Sequence, residues 1–274
     1  MKWIMNTILG VLFFFVVFAV GLKLMENSMV FYPAKYPTGW WEPARFGLTV
    51  EDCYFTTKDG VKLHGWFIPR AGARQTLLYC HGNGGNITYF ADYAEWLLSG
   101  VQAQIFLFDY RGYGRSDGAP DEAGVYQDAR AAYDYLLTRP DVNGRKIVLF
   151  GQSLGGAVAV DLALDRPCTG LILESTFTSA KNMAKKAFPF LPVSLIIGVK
   201  FDSEAKITRL RLPLLIAHGT ADRTVPFKLG RRLFEVANEP KEFYAITGAD
   251  HNNPHIAGGE TYLTKLREFI ERLP

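Results

Sequence analysis

The sequence predicts an α/β fold: a mostly parallel sheet of the eight-stranded type, with helices on both faces and a small cap inserted late in the chain. Short strand-like runs alternate with helix-length segments over most of its length, and that order produces parallel strands only when helices cross the sheet faces. Two runs, 105–108 and 147–150, are apolar without alternation, as strands covered on both sides must be. With 274 residues, 49% of them apolar, and 26 glycines, the chain can bury one large core, and a single domain suits such a fold.

The elements follow in order. Residues 1–24 hold no charged side chain between Trp3 and Leu22, and the run 8–20 is almost wholly apolar. A helix needs about 20 such residues, at ~1.5 Å each, to cross the hydrocarbon core, so this segment is expected to be a transmembrane anchor in the bilayer. A cleaved signal peptide is the alternative, with Ala19-Val20-Gly21 a weak match to a small-residue cleavage site. Lys2 and the terminal amine face Lys23 and Lys35 across the run, so the positive-inside count is a tie and the side of the domain stays open.

Residues 25–49 form a connector, rich in Pro and Trp between Tyr32 and Pro43, and 50–274 form the main domain. The runs 50–57 and 61–68 are strands joined at Asp59-Gly60, a hairpin signal. Strand 76–79, helix 88–98, strand 104–108, helix 122–137, strand 146–150, helix 154–164 and strand 170–173 come next. An irregular stretch, about 175–210, breaks the alternation and is expected to cap the C-terminal edge of the sheet. Strand 214–217, helix 227–236, strand 242–246 and helix 260–272 complete the chain.

Composition narrows the function. The net charge is +3 and the basic residues are scattered, so no stripe tracks a phosphate backbone and no nucleic-acid partner is expected. Cys53, Cys80 and Cys168 are odd in number and widely spaced, which suggests neither a disulfide framework nor a thiolate metal site. Cys80 precedes His81, but neighbours on a strand point to opposite faces and cannot act as nucleophile and base.

The strongest motif is Gly151-Gln152-Ser153-Leu154-Gly155, a G-x-S-x-G sequence between an apolar strand and a helix. So tight a turn excludes side chains near the serine, and glycine at both flanks, with Gly156 behind, removes them. A serine hydroxyl is a poor nucleophile that needs a base in hydrogen-bond reach, and the base needs an acid to fix its tautomer. In chain order, Asp222 lies in the loop after strand 214–217 and His251 in the loop after strand 242–246, as the acid and base of such a site should. His255 rivals His251 as base, whereas His64, His81 and His218 are expected to be structural. For the acid, Glu174 at the end of strand 170–173 is the alternative, and Asp250 is adjacent to the base and points elsewhere.

The tetrahedral intermediate also needs two preorganised N–H donors. The backbone N–H of Leu154 at a helix N-terminus is one; the second is expected from His81-Gly82-Asn83-Gly84-Gly85, as the N–H of Asn83 or else of Gly84. Asp109 is expected to order the 111–116 loop rather than react. Asn86-Ile87-Thr88 is a glycosylation sequon in the same loop region, where a glycan would obstruct the site, which disfavours a glycosylating compartment. The cap stretch 187–199, with Phe188, Phe190, Leu195, Ile196 and Ile197, is expected to line an acyl-binding groove, to touch the bilayer, or simply to pack on the core.

These motifs, with Met29-Val30-Phe31-Tyr32-Pro33, Asp109-Tyr110-Arg111-Gly112-Tyr113-Gly114-Arg115-Ser116 and Gly219-Thr220-Ala221-Asp222, occur in order over about residues 25–273. The chain thereby resembles the single-domain, N-terminally membrane-anchored α/β hydrolases, a group of serine esterases and thioesterases that includes protein depalmitoylases. The resemblance implies the α/β-hydrolase fold, a triad of Ser153, Asp222 and His251, and oxyanion donors at Asn83 and Leu154. It also implies a small-molecule or lipid-like ester substrate cleaved through an acyl-serine, with no metal or organic cofactor. Depalmitoylase members usually carry an N-terminal cysteine cluster for lipidation, and no cysteine precedes Cys53 here. A serine peptidase or amidase is the nearest alternative, because the same triad cleaves amides. A non-catalytic membrane scaffold is the other, although it has no chemical need for nucleophile, acid, base and donor loop together.

Overall fold

The structure, a computed structural model, describes residues 2–188 and 197–274. Along the chain run α1 (Lys2–Val30), β1 (Tyr32–Pro33), β2 (Glu51–Thr56), β3 (Lys62–Ile68), β4 (Gln75–Cys80), β5 (Gly84–Gly85), α2 (Ala91–Gly100) and β6 (Ala103–Phe108). There follow α3 (Glu122–Thr138), β7 (Ile147–Gln152), α4 (Leu154–Leu162), β8 (Gly170–Glu174), α5 (Ala180–Ala187) and α6 (Ser203–Ile207). The last elements are β9 (Leu214–Gly219), α7 (Phe227–Val236), β10 (Lys241–Ile246) and α8 (Pro254–Glu271).

Eight strands form one sheet in the order β10-β9-β8-β7-β4-β6-β3-β2, with β1 and β5 pairing separately. β2 and β3 pair antiparallel, as do β3 and β6, and every other pair in the large sheet is parallel. Every residue of β4, β6, β7 and β9 is buried, the consequence of helices on both faces. Neighbouring strand residues serve opposite layers. Leu78 and Leu149 join a core with Val125 of α3 and Ala157 of α4, whereas Leu77 and Val148 join one with Leu97 of α2 and Leu266 of α8.

β4 lies between β6 and β7, so the chain turns to one side after β4 and returns to the other. At such a reversal the loops leaving the strands' C-terminal ends part and open a crevice. The loops after β4 and β7, carrying Asn83 and Ser153, flank it.

Several boundaries differ from expectation. A 3-10 turn, Ile87–Phe90, replaces the start of the helix predicted from 88, because the Asn86 side chain accepts the Thr88 N–H and tightens the first turn. α8 begins at Pro254, ahead of the predicted 260, and bends at Gly259 (φ 49°, ψ −142°), where a paired glycine hides the helical pattern. α1 continues to Val30, into the stretch read as connector. Within 175–210, α5 and α6 are formed; Phe190, Leu195 and Ile196 lie outside the described residues.

Candidate active site

β7 ends at Gln152 and α4 starts at Leu154, leaving Ser153 alone in the turn at φ 53°, ψ −116°. A non-glycine residue in that region is strained by about 1–3 kcal/mol, and here the packing around it enforces the conformation. A Cβ on Gly155 would lie 1.9 Å from the Cys80 carbonyl oxygen, one on Gly156 2.3 Å from Thr176 Oγ1, and one on Gly151 2.4 Å from the Gly155 carbonyl oxygen. The three glycines let β7, α4 and the end of β4 close on one another, and the serine is driven outward.

The hydroxyl does not cap its own helix. Ser153 Oγ instead lies 3.0 Å from His251 Nε2, and His251 Nδ1 lies 2.8 Å from Asp222 Oδ2. A carboxylate can only accept, so Nδ1 carries the hydrogen and Nε2 is left to take one from the serine. Asp222 Oδ1 accepts the N–H groups of Thr224 and Val225 at 2.9 and 2.7 Å. His218 Nε2 lies 2.9 Å from the Val225 carbonyl and 3.3 Å from Asp222 Oδ2, so it is a donor facing both. Burial pushes the Asp222 carboxyl up, but the hydrogen bonds from His218 and His251, the charge of His251 and the Val225 amide outweigh it and hold it well below the usual carboxylate range.

The other candidates are engaged elsewhere. His255 packs its ring on Tyr93 and Trp96, and it is His251 that the Ser153 hydroxyl meets. Glu174 is fully buried; Tyr93 and Tyr262 donate to it at 2.7 Å and Gln152 at 2.9 Å, while its backbone carbonyl accepts the Ser153 N–H. Burial pushes the Glu174 carboxyl up in spite of those three donors. His64 meets Asp52 at 2.6 Å, and His81 Nδ1 meets the Gly82 carbonyl at 2.7 Å. Asp109 accepts the Ile87 N–H at 2.9 Å, and the Ser116 hydroxyl donates to its carbonyl, which ties the 111–116 loop down. Burial pushes the Cys80 thiol up, away from the thiolate a nucleophile needs. Asp250 does point away from the site, accepting from the Arg223 and His251 amides and so joining the two loops that carry Asp222 and His251. Asn86 is buried, donates to the carbonyls of Ala34 and Thr38 and accepts from Thr88, so the folded protein offers no glycan acceptor there.

Asn83 and Leu154 both line the cavity that Ser153 opens into. Among the described residues, neither N–H is spent on another backbone carbonyl. Two spaces meet at the serine. One, of about 270 Å³, is walled by apolar side chains of α1, α5 and the 197–201 segment. The other, of about 480 Å³, runs between Tyr89, Asp92, Asn252 and His255. The structure brings together the hydroxyl, the imidazole and the carboxylate that pattern reading pairs. That reading missed the donor role of His218 and the share of α1 in the cavity, since both depend on packing between distant segments.

The uncharacterized protein Rv2307c of Mycobacterium tuberculosis is 38% identical over 249 residues, 89% of this chain and 87% of that one. The α/β hydrolase domain-containing protein WAV2 of Arabidopsis thaliana is 31% identical over 277 residues, 92% and 89% of the two chains. The chain belongs to the α/β-hydrolase family. A sequence model described as serine aminopeptidase, S33, matches residues 71–200 of this α/β hydrolase. Among solved structures, an esterase of Pyrococcus furiosus, Pf2001, superposes with a TM-score of 0.75 at 22% identity, covering 89% of this chain and 98% of that one. That likeness speaks to the fold, the mostly parallel sheet with helices on both faces.

Proposed function

We propose that this α/β hydrolase cleaves carboxylic esters or thioesters of amphiphilic substrates through an acyl-Ser153 intermediate, at a membrane to which α1 anchors it. The observation that carries this reading is the hydrogen-bonded chain Ser153–His251–Asp222 opening onto an apolar cavity. In the forward step His251 Nε2 takes the hydroxyl proton as Ser153 Oγ bonds to the carbonyl carbon. The resulting oxyanion accepts from the Asn83 and Leu154 amides; losing one such donor costs about 10²–10³ in rate. Collapse expels the alcohol or thiol, which leaves with the proton held by His251, and a water activated by the same imidazole then releases the acid and regenerates the serine. The 270 Å³ cavity suits the acyl group and the wider, more polar cleft the leaving group.

A serine-directed alkyl phosphonate tests the nucleophile. It is expected to label the wild type and not Ser153→Ala, and equal labelling of both proteins would overturn the assignment. Amide cleavage is the second reading, favoured by the S33 match over 71–200. An aminopeptidase must hold a substrate ammonium, and the carboxylate in the cavity wall, Glu26, is already taken by Lys23 and the Val199 N–H. One acyl group presented as its nitrophenyl ester and as its nitroanilide separates the two, with faster ester cleavage expected.

A further inference from the structure

We infer that the last two turns of α1 form the specificity-determining wall of the acyl site, so that the substrate is a membrane-resident ester whose linear acyl chain enters along this helix. The inference rests on the serine-hydrolase reading and adds to it a substrate class and the residues that select it. Leu22, Glu26, Met29 and Val30 all line the cavity that holds Ser153. Their spacing, i, i+4, i+7 and i+8, places them on one helical face. Across the cavity, α5 presents Ala180, Met183, Ala184 and Ala187 at i, i+3, i+4 and i+7, so the slot is lined from two helices by mostly apolar side chains.

The wall is fixed to the fold at two points, Glu26 and Val30. Glu26 accepts the Val199 N–H, which joins α1 to the segment closing the far side of the cavity. Asn83, whose amide is the proposed oxyanion donor, donates from its side chain to the Val30 carbonyl at 2.8 Å and accepts the Tyr32 N–H at 2.9 Å. β1 then pairs with β5 in the same donor loop. The helix that would enter the bilayer is therefore stitched directly to the loop that would hold the oxyanion.

Length sets the direction of entry. The 29 residues of α1 span about 44 Å at ~1.5 Å each, whereas the hydrocarbon core is about 30 Å thick. The uncharged stretch from Trp3 to Leu22 fills the core, which leaves Lys23 to Val30 at the lipid–water boundary with the cavity beside them. An acyl chain leaving the bilayer along α1 passes from lipid to protein without crossing water, and so keeps its methylenes buried throughout.

The test uses the full chain in lipid nanodiscs with nitrophenyl acetate, octanoate and laurate. The wild type is expected to favour the longer esters, and Met29→Trp, which fills the slot, to lower the laurate-to-acetate ratio of kcat/KM by roughly tenfold or more. Leu24→Trp, on the same helix with Leu24 80% exposed, should keep the wild-type ratio. An unchanged ratio in Met29→Trp with acetate still cleaved overturns the acyl wall alone. If Met29→Trp does not fold, Leu22→Ala decides: a widened slot moves the preference toward laurate, and an unmoved preference overturns the inference. A wild type that cleaves none of the esters and resists the phosphonate brings down the hydrolase reading instead.

Discussion

His218 and Asp250 show how single residues hold the geometry on which the proposed chemistry of Ser153 and His251 depends. His218 faces Asp222 Oδ2 as a second donor beside His251, and Asp250 holds the two loops in register by accepting from Arg223 and His251. With its carboxyl held well below the usual range, Asp222 stays ionised across neutral and mildly acid pH, so it contributes no titration to the working profile. Asp222→Asn should lower kcat by about 10⁴-fold through the wrong imidazole tautomer. The sign for stability follows from the same depression. The stability that Asp222 adds is fully present above the unfolded carboxyl value near 3.9 and is lost as pH falls through the lower folded one. The difference in Tm between wild type and Asp222→Asn should therefore narrow on acidification below about pH 4, as differential scanning fluorimetry would read. A gap that widens there contradicts the assignment of the charge. At this scale the sequence is legible where residue type and order point to neighbours in space, as for Ser153, Asp222 and His251, which the fold brings into one hydrogen-bonded chain. It is silent on His218, whose partner is visible only once β9 and the following turn are folded together.

Elements supply the close approach that the site needs. β4, β7 and α4 meet at three glycines, and the nearest contact, from a Cβ on Gly155 to the Cys80 carbonyl, would be 1.9 Å. Backbone has nowhere to retreat there, so Gly155→Ala should cost at least the ~1–3 kcal/mol of an overpacked core. Gly84→Ala meets nothing within 4 Å and should stay within about 0.5 kcal/mol of wild type, so urea midpoints of the two variants form a matched comparison. Equal midpoints would mean that the elbow tolerates a side chain and that its glycines are not steric. Strands such as β6 and β7 were legible because a short, continuous apolar run bounded by turn residues suits a strand covered on both faces and little else. The two-residue pair of β1 with β5 was not, since so short a ladder leaves no periodicity and arises from where α1 delivers Tyr32. The break in α8 was hidden for a related reason: Gly258 and Gly259 lower helix propensity in a segment that packing nevertheless keeps helical.

At the scale of the whole molecule, the order of segments predicted parallel strands and two covered faces, but the order of strands in space was not readable. That order is what puts β4 between β6 and β7 and opens the crevice at the Ser153 turn. The remaining question at this scale is whether α1 stays on the mature protein. Trp3, Leu9, Phe13, Phe14 and Val16 are all more than half exposed, and no share of the most apolar stretch of the helix is buried against the described protein. An apolar surface of that size fits the proposed bilayer contact. Cleavage after Gly21 would remove that contact and leave a stub from Leu22 to Val30, far shorter than the ~12–15 residues at which isolated helices become marginally stable. Its hold on the fold would rest on Glu26 and on the Val30 carbonyl. On the proposed anchoring, the uncut chain is the form that keeps both the lipid contact and the cavity wall. Mass spectrometry of the mature protein should recover peptides from the α1 segment, and alkaline carbonate should leave the protein in the membrane pellet. A mature N-terminus near residue 22, with the protein in the supernatant, would make α1 a leader and detach the site from the bilayer.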